Sequence, residues 1–251
     1  PPARTVLEVT KSVPNENGVL FIAANHAGDV LNFELVRELA EVEGIKTESV
    51  YVTDDITSAP LEKRDERRGV AGISLVVKIA GAASQDGYTL EEIKQVVEKA
   101  SQNTITLGVT TSTGYMPGEA ICDLPDGFVE YGMGFNGEPG IRREALSSAD
   151  QITKSLMEEL MKEIPAGSEV AVMINGYGYT SMLELCIVSR KVNEMILEKG
   201  FVMIHSFIDT LFSPQGTGGF SISVLILDQE LKRLYQKPCY SPLFRFRGGV
   251  L

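Results

Sequence analysis

Residues 18–43 read GVLFIAANHAGDVLNFELVRELAEVE. The opening GVLFIAA is a short apolar run of the kind found in a buried parallel strand. From Asp29 onward the pattern changes. Leu31, Leu35 and Leu39 recur every four residues with Val36 beside them, as on one face of a helix. Asp29 follows Gly28 where an N-cap would stand. A strand that turns directly into a helix is the unit of α/β architecture.

The rest of the chain repeats the theme. Residues 46–53 read as a strand, and 73–83 and 90–100 as helices. Residues 104–111 and 128–134 are strand-like, 149–162 helical, and 169–174 another apolar strand. Residues 180–199 place Leu185, Val188, Val192 and Ile196 at helical spacing, and 201–207 and 219–227 close as strands. This alternation predicts an α/β protein with two α/β lobes, mixed sheets flanked by helices. The polar stretch 100–103 marks the expected boundary. It gives an N-terminal lobe over 1–102, expected to lack its upstream part because no Met precedes Pro1, and a C-terminal lobe over 103–251.

Composition narrows the function classes. The chain has 251 residues, 43% hydrophobic and 23% charged, as ordinary globular proteins do. A net charge of -11 argues against a nucleic-acid or anionic-membrane surface, which needs clustered Lys and Arg. Three widely spaced cysteines fit a reducing cytoplasm better than a disulfide framework or a zinc site, so no metal is expected. No apolar stretch is long enough to span a bilayer, and no signal-peptide pattern opens the chain.

Residues 128–143, FVEYGMGFNGEPGIRR, end an apolar run in a glycine-dense turn that presents Asn136. Gly134 and Gly137 let backbone approach a small ligand, since glycine lacks Cβ and reaches positive φ freely. Gly132, Gly134 and Gly137 also match G-x-G-x-x-G. A dinucleotide fold requires a helix to start inside that motif, yet EPG follows with no apolar periodicity. There is no Walker A sequence, so no nucleotide site is expected in this chain. Residues 175–180, NGYGYT, read either as a βα loop ending in a Thr cap or as a ligand-facing loop at a sheet edge. Only two histidines are present. His205, inside FVMIHSF, reads as a satisfied strand residue, and His26 lies three residues before Asp29. Asp29 is either a helix cap or a carboxylate able to take a proton from a hydroxyl substrate. Arg67 and Arg68 read as a solvated charge run or as bidentate partners for acidic groups.

Five segments in order, GDVLNFEL, RRGVAG, GFNGEPGIRR, NGYGYTSMLEL and GGFSISVL, resemble the substrate-binding (K) subunit of dihydroxyacetone kinase. The resemblance covers nearly the whole chain. It implies binding of dihydroxyacetone or a related small ketose or polyol, with the nucleotide carried by a separate L-type subunit. It also implies a homodimer. Asp29 matches the family aspartate that activates the substrate hydroxyl, with Gly28 and His26 beside it. Asn136 stands where the family has a histidine that forms a covalent adduct with the substrate carbonyl. A further family histidine lies in an upstream glycine-rich segment with no counterpart here. An amide nitrogen is delocalised and non-nucleophilic, so Asn136 offers hydrogen bonds and no adduct. The other role compatible with this substitution is a kinase-dead paralogue serving as metabolite sensor or transcriptional coactivator, its partner then a regulatory protein.

Overall fold

The computed structural model describes residues 1–116, 119–120, 122–214, 216–241 and 244–248. In chain order the first half contains α1 (Ala3–Ser12), β1 (Val19–Ala24), α2 (Ala27–Val42), β2 (Thr47–Val52), a 3-10 segment (Leu61–Glu66), α3 (Ile73–Gln85) and α4 (Leu90–Gln102). The second half contains β3 (Thr104–Ser112), the short β4 (Tyr115–Met116) and β5 (Glu119–Ala120), β6 (Phe128–Tyr131) and β7 (Arg142–Ala145). These are followed by α5 (Ala149–Leu160), a 3-10 turn (Met161–Glu163), β8 (Glu169–Gly176), α6 (Met182–Glu198) and β9 (Val202–Asp209). Then come β10 (Gly218–Leu227), α7 (Gln229–Tyr235), β11 (Cys239–Tyr240) and β12 (Arg245–Phe246).

The main sheet has six strands in the order β7-β6-β3-β10-β8-β9. Only β8 and β9 run parallel, joined through α6; the other neighbours are antiparallel. β10 lies between β3 and β8, and all but one of its ten residues are buried. On one face Ile222 and Val224 pack with Leu156 and Leu160 of α5 and Val188 and Val192 of α6. On the other, Leu225 and Met173 meet Leu75 and Ile79 of α3, Val97 of α4 and Leu231 of α7. Helices thus cover both faces, the α/β architecture expected from the alternation. That second cluster also takes in Val50 and Val52 of β2. β1 and β2 form a separate parallel pair, flanked by α1 and α2 through Ala3, Phe21 and Val36.

Several helix starts follow from local chemistry. Thr89 with Glu92, Ser148 with Gln151 and Ser181 with Glu184 form reciprocal capping boxes. The cap of α6 is therefore Ser181, not Thr180, whose hydroxyl is exchanged with the backbone of Gly219. Two features of α2 depart from expectation. Asp29 is not its N-cap: the helix begins two residues earlier with His26 at the cap position, so Asp29 falls in the first turn. The leucine stripe also faces outward. Leu31 is 74% exposed, while Val36 and Ala40 are fully buried. Phe33 and Val36, spaced i, i+3, and not the period-four set, meet β1 and α1.

Residues 67–72, RRGVAG, are fixed from several sides. The Arg67 guanidinium is fully buried and forms two hydrogen bonds with Glu163, at 2.8 and 2.6 Å. Arg68 places Nε and Nη2 on Asp55 at 3.0 and 2.8 Å. The Asp54 carboxylate accepts the backbone N–H groups of Val70 and Gly72, both at 2.8 Å. Burial pushes the Asp54 carboxyl above its ordinary range against those bonds. A Cβ at Gly69 would lie 2.5 Å from the Val52 carbonyl oxygen and 2.6 Å from Ala24 Cα. Glycine is required there by close approach of three backbone segments.

Two stability predictions follow from this packing. Gly69→Ala should lower stability in urea titration by about 3 kcal/mol, the upper end for overpacking, because the obstacle is backbone. Lys78 gives a pH signature. It is buried against the Tyr235 and Phe246 rings and donates to the Lys237 carbonyl at 2.8 Å. Burial lowers its pKa to about 8. Between that value and the ordinary 10.5 the unfolded chain holds a proton that the folded protein has released. Stability therefore rises with pH in this window by up to about 1 kcal/mol per unit. Urea midpoints at several alkaline pH values should show this component in the native protein and not in Lys78→Met.

Candidate functional site

The segment 132–140 is the tip of the hairpin between β6 and β7, in register from Phe128 opposite Ala145 to Tyr131 opposite Arg142. No helix starts within it, which removes the dinucleotide reading of its glycines. The tip folds on itself, with Gly134 N–H donating to the Glu138 carbonyl at 3.0 Å and Gly137 N–H to the Gly134 carbonyl at 3.1 Å. Gly137 has φ of 83°, where a side chain is strained. Gly134 has another reason. An added Cβ would lie 2.3 Å from Glu138 Oε2 and 2.5 Å from Arg68 Nη1. A Cβ at Gly28 would meet nothing within 4 Å, so packing does not demand glycine there.

Glu138 draws the candidate residues together. Its Oε2 accepts the Asn136 backbone N–H at 2.9 Å and its Oε1 accepts Asn136 Nδ2 at 3.3 Å. The same Oε1 lies 3.7 Å from His26 Nδ1. His26 Nε2 donates to the Gly69 carbonyl at 2.9 Å, because a carbonyl can only accept. The start of α2 is thus brought onto the hairpin tip. Burial pushes the Glu138 carboxyl up, but hydrogen bonds from its own and the Asn136 backbone, the Asn136 side chain and the Arg68 charge outweigh it, and the net shift is downward. Glu138 is therefore an ionised acceptor at neutral pH. Asp29 lies one turn along from His26, part-exposed, with Oδ1 3.6 Å from the Pro1 nitrogen. It makes no hydrogen bond to the hairpin tip among the described residues. With Nε2 committed to Gly69 and Nδ1 3.7 Å from Glu138 Oε1, His26 is positioned by this cluster.

The underside of the tip is fixed by NGYGYT. Asn175 is fully buried. Its Nδ2 donates to the Phe212 carbonyl at 2.6 Å and to Ser221 Oγ at 3.1 Å, while its Oδ1 accepts Leu211 and Phe212 N–H. Phe212 in turn packs at a tilt against Phe135, ring centroids 4.4 Å apart. Tyr177 is buried beside Gly108, where an added Cβ would lie 2.2 Å from its hydroxyl, and burial pushes that hydroxyl's pKa well up. A cavity of about 20 Å³ between Asp55, Thr106, Tyr177 and Phe135 has room for one water and not for a triose. Asn136 is exposed, and His26 and Asp29 are half-buried.

Glu138, Asp55 and Glu163 were not singled out by the sequence. Glu138 could have been found, since it lies two residues from Asn136 inside the quoted turn. The other two pair with Arg67 and Arg68 from 96 and 13 residues away, and no local pattern marks them.

Residues 1–243 match the Dak1 domain. This chain belongs to the Dak1 domain family. The Dak1 chain is 42% identical over 240 residues to the dihydroxyacetone-binding subunit DhaK of PTS-dependent dihydroxyacetone kinase 2 from Listeria innocua, covering 94% of this chain and 72% of that one. It is 37% identical over 253 residues to an L-erythrulose kinase from Pectobacterium atrosepticum, covering 98% of this chain but only 43% of the kinase. Among solved structures it is similar to the dihydroxyacetone kinase operon co-activator Dha-DhaQ, with a TM-score of 0.87 and 26% identity, covering 94% of this chain and 74% of that chain. The five segments whose resemblance pointed to this family all lie within the matched residues. Among the described residues of the Dak1 chain, no helix is long and apolar enough to cross a membrane.

Replacing Asn175 strands the Leu211 and Phe212 N–H groups and frees the loop under Phe135. Asn175→Ala should destabilise the protein by about 3 kcal/mol. It should also accelerate hydrogen exchange at Phe135 to Glu138 before the rest of the sheet.

Proposed function

We propose that this chain is a K-type subunit that binds dihydroxyacetone or a related small ketose or polyol for phosphoryl transfer from a nucleotide-bearing partner. The observation that carries this reading is the meeting of Asn136 and His26 on Glu138, which brings the start of α2 and the glycine turn to one surface. Asp29 is the proton acceptor for the substrate hydroxyl, being a part-exposed carboxylate one turn from His26. Gly134 and Gly137 allow the backbone approach, Gly28 leaves the first turn of α2 open, and Asn136 hydrogen-bonds the ligand. The nucleotide would be supplied by an L-type subunit, as the resemblance implies, in a cytoplasmic complex built on a homodimer.

A second reading is a sensor or coactivator that binds the metabolite without turnover. It is favoured by the amide at position 136 and by the similarity to the Dha-DhaQ co-activator. Phosphorylation of bound ligand on addition of a nucleotide-loaded L-type subunit supports the first role. Binding without phosphorylation supports the second.

The site itself is tested by calorimetric titration of dihydroxyacetone. Asn136→His should bind it at least about tenfold tighter than the native chain, and intact-mass spectrometry should then show an adduct. Asp29→Ala should lose turnover. Full retention of both binding and turnover in Asp29→Ala would place the site elsewhere.

A further inference from the structure

Arg68 is held by every side-chain nitrogen but one. Nε and Nη2 lie on Asp55 Oδ2, at 3.0 and 2.8 Å, and Nη2 also donates to the Gly132 carbonyl at 3.2 Å. Asp55 is itself fixed, its Oδ1 accepting the Thr57 backbone N–H at 3.0 Å and hydroxyl at 2.6 Å. Nη1 is left over. Among the described residues it has no hydrogen-bond partner, and it is not sealed from solvent. It faces the glycine turn, since a Cβ added at Gly134 would lie 2.5 Å from Nη1 and 2.3 Å from Glu138 Oε2. The two atoms flank one point beside Gly134 Cα, separated by at most the sum of those distances, 4.8 Å. They do not pair with each other, because the ion pair of Arg68 goes to Asp55. A guanidinium nitrogen only donates and an ionised carboxylate only accepts. One oxygen about 2.8 Å from each spans such a gap.

We infer that Arg68 binds ligand directly, its Nη1 and Glu138 Oε2 holding one ligand hydroxyl between them beside Gly134. The inference rests on the reading of the turn as the ligand site. A hydroxyl accepts from Nη1 and donates its proton to Oε2, so a single oxygen satisfies both charged groups. Oε2 has capacity for this beside the Asn136 N–H that it already accepts. Both walls are fixed before a ligand arrives, Arg68 by Asp55 and Glu138 by the Asn136 backbone and side chain. Little order therefore has to be gained on binding. Glycine at 134 is then a requirement of the ligand as well as of packing, because a side chain there takes the hydroxyl's place.

The test is calorimetric titration of dihydroxyacetone and hydroxyacetone, which lacks one hydroxyl, into the full chain, beside Gly134→Ala and Arg68→Lys. The native protein should bind dihydroxyacetone about tenfold tighter than hydroxyacetone, the worth of a hydrogen bond to charged groups. In Gly134→Ala the methyl group meets only side-chain ends that can give way, so the fold is kept while the gap is filled. The ratio should fall to about one. Arg68→Lys keeps a charge for Asp55 but offers no second fork nitrogen, and should give the same ratio. Where native binding is too weak to measure, the ratio is read in Asn136→His, with and without Gly134→Ala. A ratio near one before the gap is filled, or an equal loss for both ligands that leaves the ratio unchanged in the variants, overturns the inference and makes Arg68 a support of the turn alone. If neither ligand binds the native chain or Asn136→His, the site reading falls and the role of Arg68 with it.

Discussion

The segment Arg67 to Gly72 is the constraint on which the rest of the structure depends. Its two arginines point to different partners, Arg67 to Glu163 after α5 and Arg68 to Asp55 after β2. Directly after them Gly69 presses its backbone against the ends of β1 and β2. The Gly69 carbonyl orients His26, and the Arg67 carbonyl accepts Asn25 Nδ2 at 2.7 Å. One six-residue stretch thereby ties the small parallel pair to the six-stranded sheet and aims the start of α2. The Arg67 pair is buried, so its worth lies in what happens when one partner is lost. An orphaned buried charge costs several kcal/mol even where the intact pair is close to neutral.

The same fastening reaches the hairpin tip. Arg68 Nη2 also donates to the Gly132 carbonyl at 3.2 Å, and Gly134 leaves the space in which Glu138 and Arg68 approach each other. Asn175, Phe212 and Phe135 hold the tip from beneath. A surface turn dense in glycine would ordinarily be mobile. Here it is pinned from both sides, which is the preorganisation a small polar ligand requires.

Much of this was legible in the sequence because the governing signals are local. The apolar runs of β1, β8 and β10 announce buried strands, and Leu185, Val188, Val192 and Ile196 announce α6, although its cap is Ser181 and not the Thr180 expected. The glycine turn was legible as a close-approach loop, and EPG behind it correctly argued against a helix. What failed was what depends on tertiary partners. The leucine spacing in α2 is genuine, yet β1 and α1 choose the Phe33 and Val36 face, and a period alone cannot decide between the faces. Asp29 looked like a cap because it follows a glycine, while the helix starts at the end of β1 and needs no side-chain cap. The arginines were visible as charges, but their partners are remote in sequence. Glu138 lies inside the turn, but its neighbours, not its type, give it its role.

The central claim is that the face shared by α2 and the hairpin tip is where this Dak1 chain holds a small ligand. The most direct test is a nuclear magnetic resonance titration of the isotope-labelled full chain with glycerol and dihydroxyacetone. Having two histidines lets the His26 ring be followed individually, with His205 as an internal control packed against Tyr235. The account predicts shift changes concentrated on His26, Asp29 and the amides from Gly134 to Glu138, with His205 unmoved. Changes centred elsewhere on the protein, or none at saturating ligand, would contradict it.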